Sequence, residues 1–219
     1  VERWRPDGFG GRAEQFKRVG ATVAFVQFGL MESMNGEDGL ERFRADYSSL
    51  LDDLSQQRIR LVLLTSTPFE TSESLHVPNL KRHNESLRKY NSVIGELGAK
   101  YDAIVVNLHL GYPFPLTKNG MHVLPEYQET VARTIARQLN IKTPPIRKIA
   151  SLHSAVKEKH RLWYDYWRPA NWKLLYGDDS RREFTRGGDD YIPFREEWSR
   201  LIPLVAQAEE RVWAIASGG

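Results

Sequence analysis

Ala21–Phe28 (ATVAFVQF), Ile59–Leu64 (IRLVLL) and Asp102–Leu108 (DAIVVNL) are three short apolar runs, rich in β-branched residues and without regular polar alternation. Runs of that length and composition read as strands buried on both faces. Between them the period changes to the helical one. Leu40, Phe43, Tyr47, Leu50, Leu51 and Leu54 form one apolar stripe over Leu40–Leu54. Leu80, Leu87, Val93, Ile94 and Leu97 form another, on a helix that Asn79 can cap and that runs to about Lys100. A further helix spans Glu126–Leu139. Buried strands alternating with amphipathic helices predict an α/β fold, a parallel sheet covered on both faces. Ligands of such sheets bind at the carboxyl ends of the strands, so the loops after Phe28, Leu64 and Leu108 are the places to look for chemistry.

Thr143-Pro144-Pro145 is a natural boundary. It divides an α/β domain over 1–141 from an extension over 142–219 that reads as mainly helical, with helices over Ile146–Trp163 and Phe194–Ile215 and a polar loop over Gly177–Asp190. Trp163, Trp167, Trp172, Trp198 and Trp213 all lie in the extension, and large aromatic side chains there are expected to pack it onto the body. The chain of 219 residues carries a net charge of +3, and the whole excess lies beyond residue 141. Lys142, Arg147, Lys148, Lys157, Lys159 and Arg161 are concentrated near its start, a pattern that fits a solvated helix face better than a nucleic-acid surface. There are no cysteines, which excludes disulfides, thiolate metal sites and cysteine nucleophiles. His76 and His83, like His153 and His160, are seven residues apart, too far along a helix to share one ion, so no metal is expected. No run is long and apolar enough for a membrane span, and no phosphate-binding loop or other cofactor motif is present.

The candidate chemistry is in the loops. After the first strand comes Gly29-Leu30-Met31-Glu32-Ser33, after the second Thr67-Pro68-Phe69-Glu70, and before the last body helix Leu116-Thr117-Lys118-Asn119-Gly120-Met121-His122. Asn84, Leu87, Tyr90 and Asn91 punctuate the helix between. In order and spacing these segments resemble the SGNH (GDSL-type) hydrolase family over residues 1–141. The extension, with Trp167-Arg168-Pro169-Ala170-Asn171 and Leu175-Tyr176-Gly177, is similar to that of planctomycete-type bacterial members, which are often secreted or periplasmic.

The resemblance implies a flavodoxin-like three-layer α/β/α fold that hydrolyses esters without a cofactor, through a serine nucleophile, an oxyanion hole and a late Asp-x-x-His motif. Carried over by position, His122 is the general base, Asn119 its orienting partner and Gly29 a backbone donor of the oxyanion loop, with Met31 in that loop's asparagine position. The nucleophile is expected upstream of Val1. Trp4-Arg5-Pro6-Asp7-Gly8 resembles the second family block, with Pro6 where a glycine is usual. Each departure has a physical consequence. Methionine has no donor, and losing one oxyanion donor typically costs ~10²–10³ in rate. Asn119 can orient an imidazole as the asparagine of papain-like triads does, but it cannot stabilise an imidazolium by charge. Ser33 lacks a nucleophile elbow and reads as a capping or loop serine.

Two functions fit. One is a hydrolase of esters or acyl-substituted carbohydrates, with weakened activity. The other is a catalytically degenerate version of the same fold that serves binding or assembly, with the Trp-rich extension meeting a protein partner.

Overall fold

A computed structural model of the chain describes residues 11–72, 76–142, 146–168, 183–187 and 190–217. Two units, Val1–Thr143 and Pro144–Gly219, each hold their own contacts. In the first, the three apolar runs form β1 (Val23–Gln27), β2 (Arg60–Leu64) and β3 (Ile104–Val106), paired in parallel in the order β1-β2-β3. Val23–Gln27 lies against Arg60–Leu64, and Val62–Leu64 against Ile104–Val106. The pattern-derived strands are thus correct in place and slightly too long at their ends.

Helices cover both faces. On one face Ala24, Val26, Leu61 and Leu63 meet the buried stripes of α2 (Leu40–Gln56) and α3 (Asn84–Lys100). Phe16 of α1 (Arg12–Arg18) packs against the same cluster. On the other face Val62, Leu64, Val106 and Leu108 meet Val131, Ile135 and Leu139 at α4 (Gln128–Gln138) and its C-terminal end. This is a three-layer α/β/α arrangement. Asn79 does act as a cap, but of the short 3₁₀ turn Leu80–His83 that leads into α3: its side chain accepts from the Lys81 N–H at 3.0 Å.

The expectation of burial on both faces fails for β1 and for the start of β3, where Ile104 is exposed. Ala24 and Val26 are buried, while Val23 and Phe25 are 40% and 56% exposed. The reason is positional: β1 is an edge of the sheet among the described residues, and the cluster under α4 draws only on β2, β3 and the segment just after β3.

In the second unit, α5 (Ile146–Trp167) packs on α7 (Leu201–Ala216), with α6 (Phe194–Ser199) before α7. One expected helix over Phe194–Ile215 is instead two. Pro203 explains the break, because a proline is tolerated in a first turn but not further inside a helix. The expected polar loop over Gly177–Asp190 is corrected in part: β4 (Glu183–Gly187) pairs antiparallel with β5 (Asp190–Pro193). The rest of that loop, and Trp172, lie outside the described residues. Tyr166 stacks on Trp198 at 4.3 Å with the rings 4° from parallel, and the Trp198 Nε1–H donates to the Tyr166 carbonyl. Arg161 pairs with Glu158 and Asp165, and Lys159 with Glu209. Two of the six basic residues, Lys159 and Arg161, are therefore paired with acidic side chains of their own unit.

Candidate active site

The loops after β1 and before α4 are brought together by a small hydrophobic cluster. Phe69, Leu80 and Leu87 are buried at its centre, and Leu30 and Met34 from the first loop and Met121 from the last pack against them. The residues flanking Gly29 and His122 thus share one patch of core, near the carboxyl ends of the strands.

Gly29 is a glycine for two reasons. Its φ is +105°, and a Cβ would lie 3.3 Å from the Phe43 ring. Its N–H does not stand free, because it donates to Glu32 Oε2 at 2.9 Å. Met31 is 56% exposed and brings no donor. Ser33 is fully buried: its hydroxyl donates to the Leu30 carbonyl at 2.7 Å and its N–H to the Gly29 carbonyl at 3.0 Å. It closes the turn, as a loop serine should. Between this loop and α2 runs a groove of about 500 Å³, lined in part by Phe28, Glu32, Phe43, Asp46 and Tyr47. The Tyr47 hydroxyl donates to the Val26 carbonyl, and burial, reinforced by the Glu32 charge, pushes its ionisation well above the ordinary tyrosine value.

The His122 segment is a closed loop. The Leu124 N–H donates to the Leu116 carbonyl, and Thr117 bridges Val123. At its tip the Asn119 Oδ1 accepts from the His122 N–H at 2.9 Å and the Met121 N–H at 3.3 Å, an Asx-type turn. The Asn119 Nδ2 lies 2.8 Å from His122 Nδ1. The imidazole itself is exposed.

Sequence reasoning assigned no role to Glu70, which holds this loop in place. Its carboxylate accepts from the Leu116 N–H (2.9 and 3.0 Å to the two oxygens), the Thr117 N–H (2.8 Å) and the Thr117 hydroxyl (2.6 Å). Its own N–H donates to the Gly120 carbonyl at 2.9 Å. Gly120, at φ +80°, comes so close that a Cβ would sit 2.5 Å from the Glu70 carbonyl oxygen. The Glu70 loop is in turn fixed to α3. The Asn84 side chain accepts from the Phe69 N–H and donates to its carbonyl, and Asn91 does the same for Ser66. Both asparagines are seven apart on the buried face of α3. A polar residue interrupting an apolar stripe was the available signal.

His109, just after β3, was also unassigned. Burial pushes its imidazole below the ordinary histidine range; the Ser66 carbonyl opposes the shift and the Arg88 charge adds to it. Its pKa is thus lower folded than unfolded, so the unfolded chain binds the extra proton first. Stability is expected to fall as pH drops below about 6.5, the unfolded value, down through the folded value. Urea midpoints of wild type and His109→Gln at pH 7.5 and 5.5 check this. The variant should lose less stability on acidification, and equal losses would count against it.

Among the described residues no group of three or more acidic or histidine side chains could hold a metal, and no helix is long and apolar enough to cross a membrane. The second family-like block, Trp4 to Gly8, lies outside the described residues.

No protein-family model matches the chain, and no curated protein matches it. Among solved structures it is similar to a variant of Axe2, an acetyl-xylooligosaccharide esterase from Geobacillus, with 13% identity and a TM-score of 0.42 over 61% of this chain and 71% of that one. A likeness that weak bears no weight on what the site does.

Proposed function

We propose that the first unit is an SGNH-type ester hydrolase domain of attenuated turnover, acting on an ester or acyl-substituted carbohydrate, with its serine supplied from upstream of Val1. The observation that carries this reading is the Asn119–His122 pair, held rigidly by Glu70 and sharing a hydrophobic cluster with the Gly29 loop. Nothing in the local fold demands a histidine there, since Asn119 closes the turn through backbone N–H groups alone. The groove lined by Phe28, Glu32, Phe43 and Tyr47 is of the size small-molecule sites have.

A second reading, the degenerate binding or assembly module, is favoured by one observation. The Gly29 N–H, the expected oxyanion donor, is occupied by Glu32, and the neighbouring position is Met31. In that case the groove binds a ligand without turning it over.

The deciding experiment treats the full-length chain, its N-terminus verified by mass spectrometry, with a fluorophosphonate serine probe, alongside His122→Ala. Labelling of a serine upstream of Val1 that is lost or slowed in the variant is the expected result. A folded full-length chain that does not label would overturn the hydrolase reading in favour of the binding module.

A further inference from the structure

The orientation of Asn119 has a chemical consequence for His122. An amide has one acceptor and two donors, and they are not interchangeable. The Asn119 Oδ1 is claimed by two backbone donors, the His122 N–H at 2.9 Å and the Met121 N–H at 3.3 Å. Turning the amide over would set its NH₂ against both of those N–H groups. The backbone therefore dictates that it is Nδ2 that faces the ring, 2.8 Å from Nδ1. Nδ2 can only donate, so Nδ1 must accept and the ring proton of the neutral imidazole sits on Nε2.

We infer that Asn119 holds His122 as its Nε2–H tautomer, so that the outward nitrogen presents a hydrogen-bond donor to a ligand oxygen and not a lone pair to a nucleophile. This deepens the hydrolase reading, on which its catalytic consequence rests; the tautomer itself does not depend on that reading. A general base acting through Nε2 needs the opposite arrangement, with the proton on Nδ1 held by an acceptor. An aspartate at position 119 supplies it: one carboxylate oxygen takes the two backbone N–H groups and the other accepts from Nδ1–H. In serine triads, exchanging the orienting aspartate for asparagine costs about 10⁴ in kcat through the wrong tautomer. The site as built is poised to grip a carbonyl or carboxylate oxygen at His122 and is slow to abstract a proton there.

The test is the long-range ¹H–¹⁵N spectrum of histidine-labelled protein at a pH where His122 is neutral, with His122→Gln to assign its signals. In wild type a single form is expected, Nδ1 unprotonated and Nε2 protonated. Asn119→Ala should relax it toward a mixture, and Asn119→Asp should invert it. Nδ1 protonated in wild type, or an unchanged pattern in Asn119→Asp, would overturn the assignment. In the full-length chain, Asn119→Asp should also speed fluorophosphonate labelling by roughly 10²-fold or more, within the 10⁴ range of the tautomer effect. Inversion without any labelling would leave the tautomer assignment intact and count against the hydrolase reading, so the two can fail separately.

Discussion

Replacing Tyr90 by alanine is expected to remove about 3–5 kcal/mol of the first unit's stability, the usual cost of deleting a fully buried aromatic ring. Tyr90 is wholly inaccessible. Its ring lies 4.9 Å from that of Phe43, and its hydroxyl donates to the Gly36 carbonyl at 2.9 Å. Its Cβ also closes over Gly29. One side chain thus joins α3, α2 and the loop that follows β1. Burial raises the phenol's ionisation above the ordinary tyrosine value, with Glu32 and Asp38 adding to the effect, so the hydroxyl stays a donor at neutral pH. Tyr90→Phe keeps the ring and loses a single hydrogen bond, for which about 0.5–1.5 kcal/mol is expected. Urea unfolding followed by far-UV circular dichroism separates the two variants. If Tyr90→Ala cost no more than Tyr90→Phe, the ring would not be the element that joins the three segments.

Tyr90 was legible only as a punctuating aromatic on a helix, and the contrast marks what sequence reading can and cannot reach here. The strands at Val23, Arg60 and Ile104 and the stripes of α2 and α3 follow from hydrophobic periodicity, because burial of a face is a local pattern in the chain. Asn119 and His122 came as a pair only from the resemblance to a late Asp-x-x-His motif, whose three-residue spacing the fold closes as a turn. Glu70 could not be found in the same way. Its partners Leu116 and Thr117 are more than 40 residues away, and an acidic residue in a loop has no periodicity to betray what it will hold. The orientation of the Asn119 amide was equally hidden, because sequence gives the residue and the backbone around it decides which end faces the ring. The exposure of Phe25 was misread for a related reason: an apolar run predicts a strand, but which strand lies at the edge depends on pairing.

Because Glu70 gathers so many donors, its removal should loosen the loop that carries His122 while leaving His122 itself chemically intact. Leu116 and Thr117 are both buried, so without the carboxylate two backbone N–H groups and a hydroxyl lose their acceptor away from bulk water. Each buried donor left unpaired costs about 1–3 kcal/mol, and a total of roughly 3 kcal/mol is expected for Glu70→Ala. Glu70→Gln is a sharper probe. Its amide oxygen can serve one or two of those donors, but its NH₂ must then face the others, so about half the loss should remain. The damage should be local before it is global. Hydrogen exchange at the Leu116 and Thr117 amides should accelerate in both variants, while Leu63 and Ile94, fully buried in the core cluster between the sheet and α2 and α3, keep their protection. The backbone bond from Glu70 to the Gly120 carbonyl survives both substitutions, so the loop should loosen around Leu116 first and around Asn119 last. If exchange at Leu116 and Thr117 stayed at the wild-type rate in Glu70→Ala, the close approach of Gly120 to the Glu70 backbone would be the true fastening, and Gly120→Ala would be the variant that releases His122.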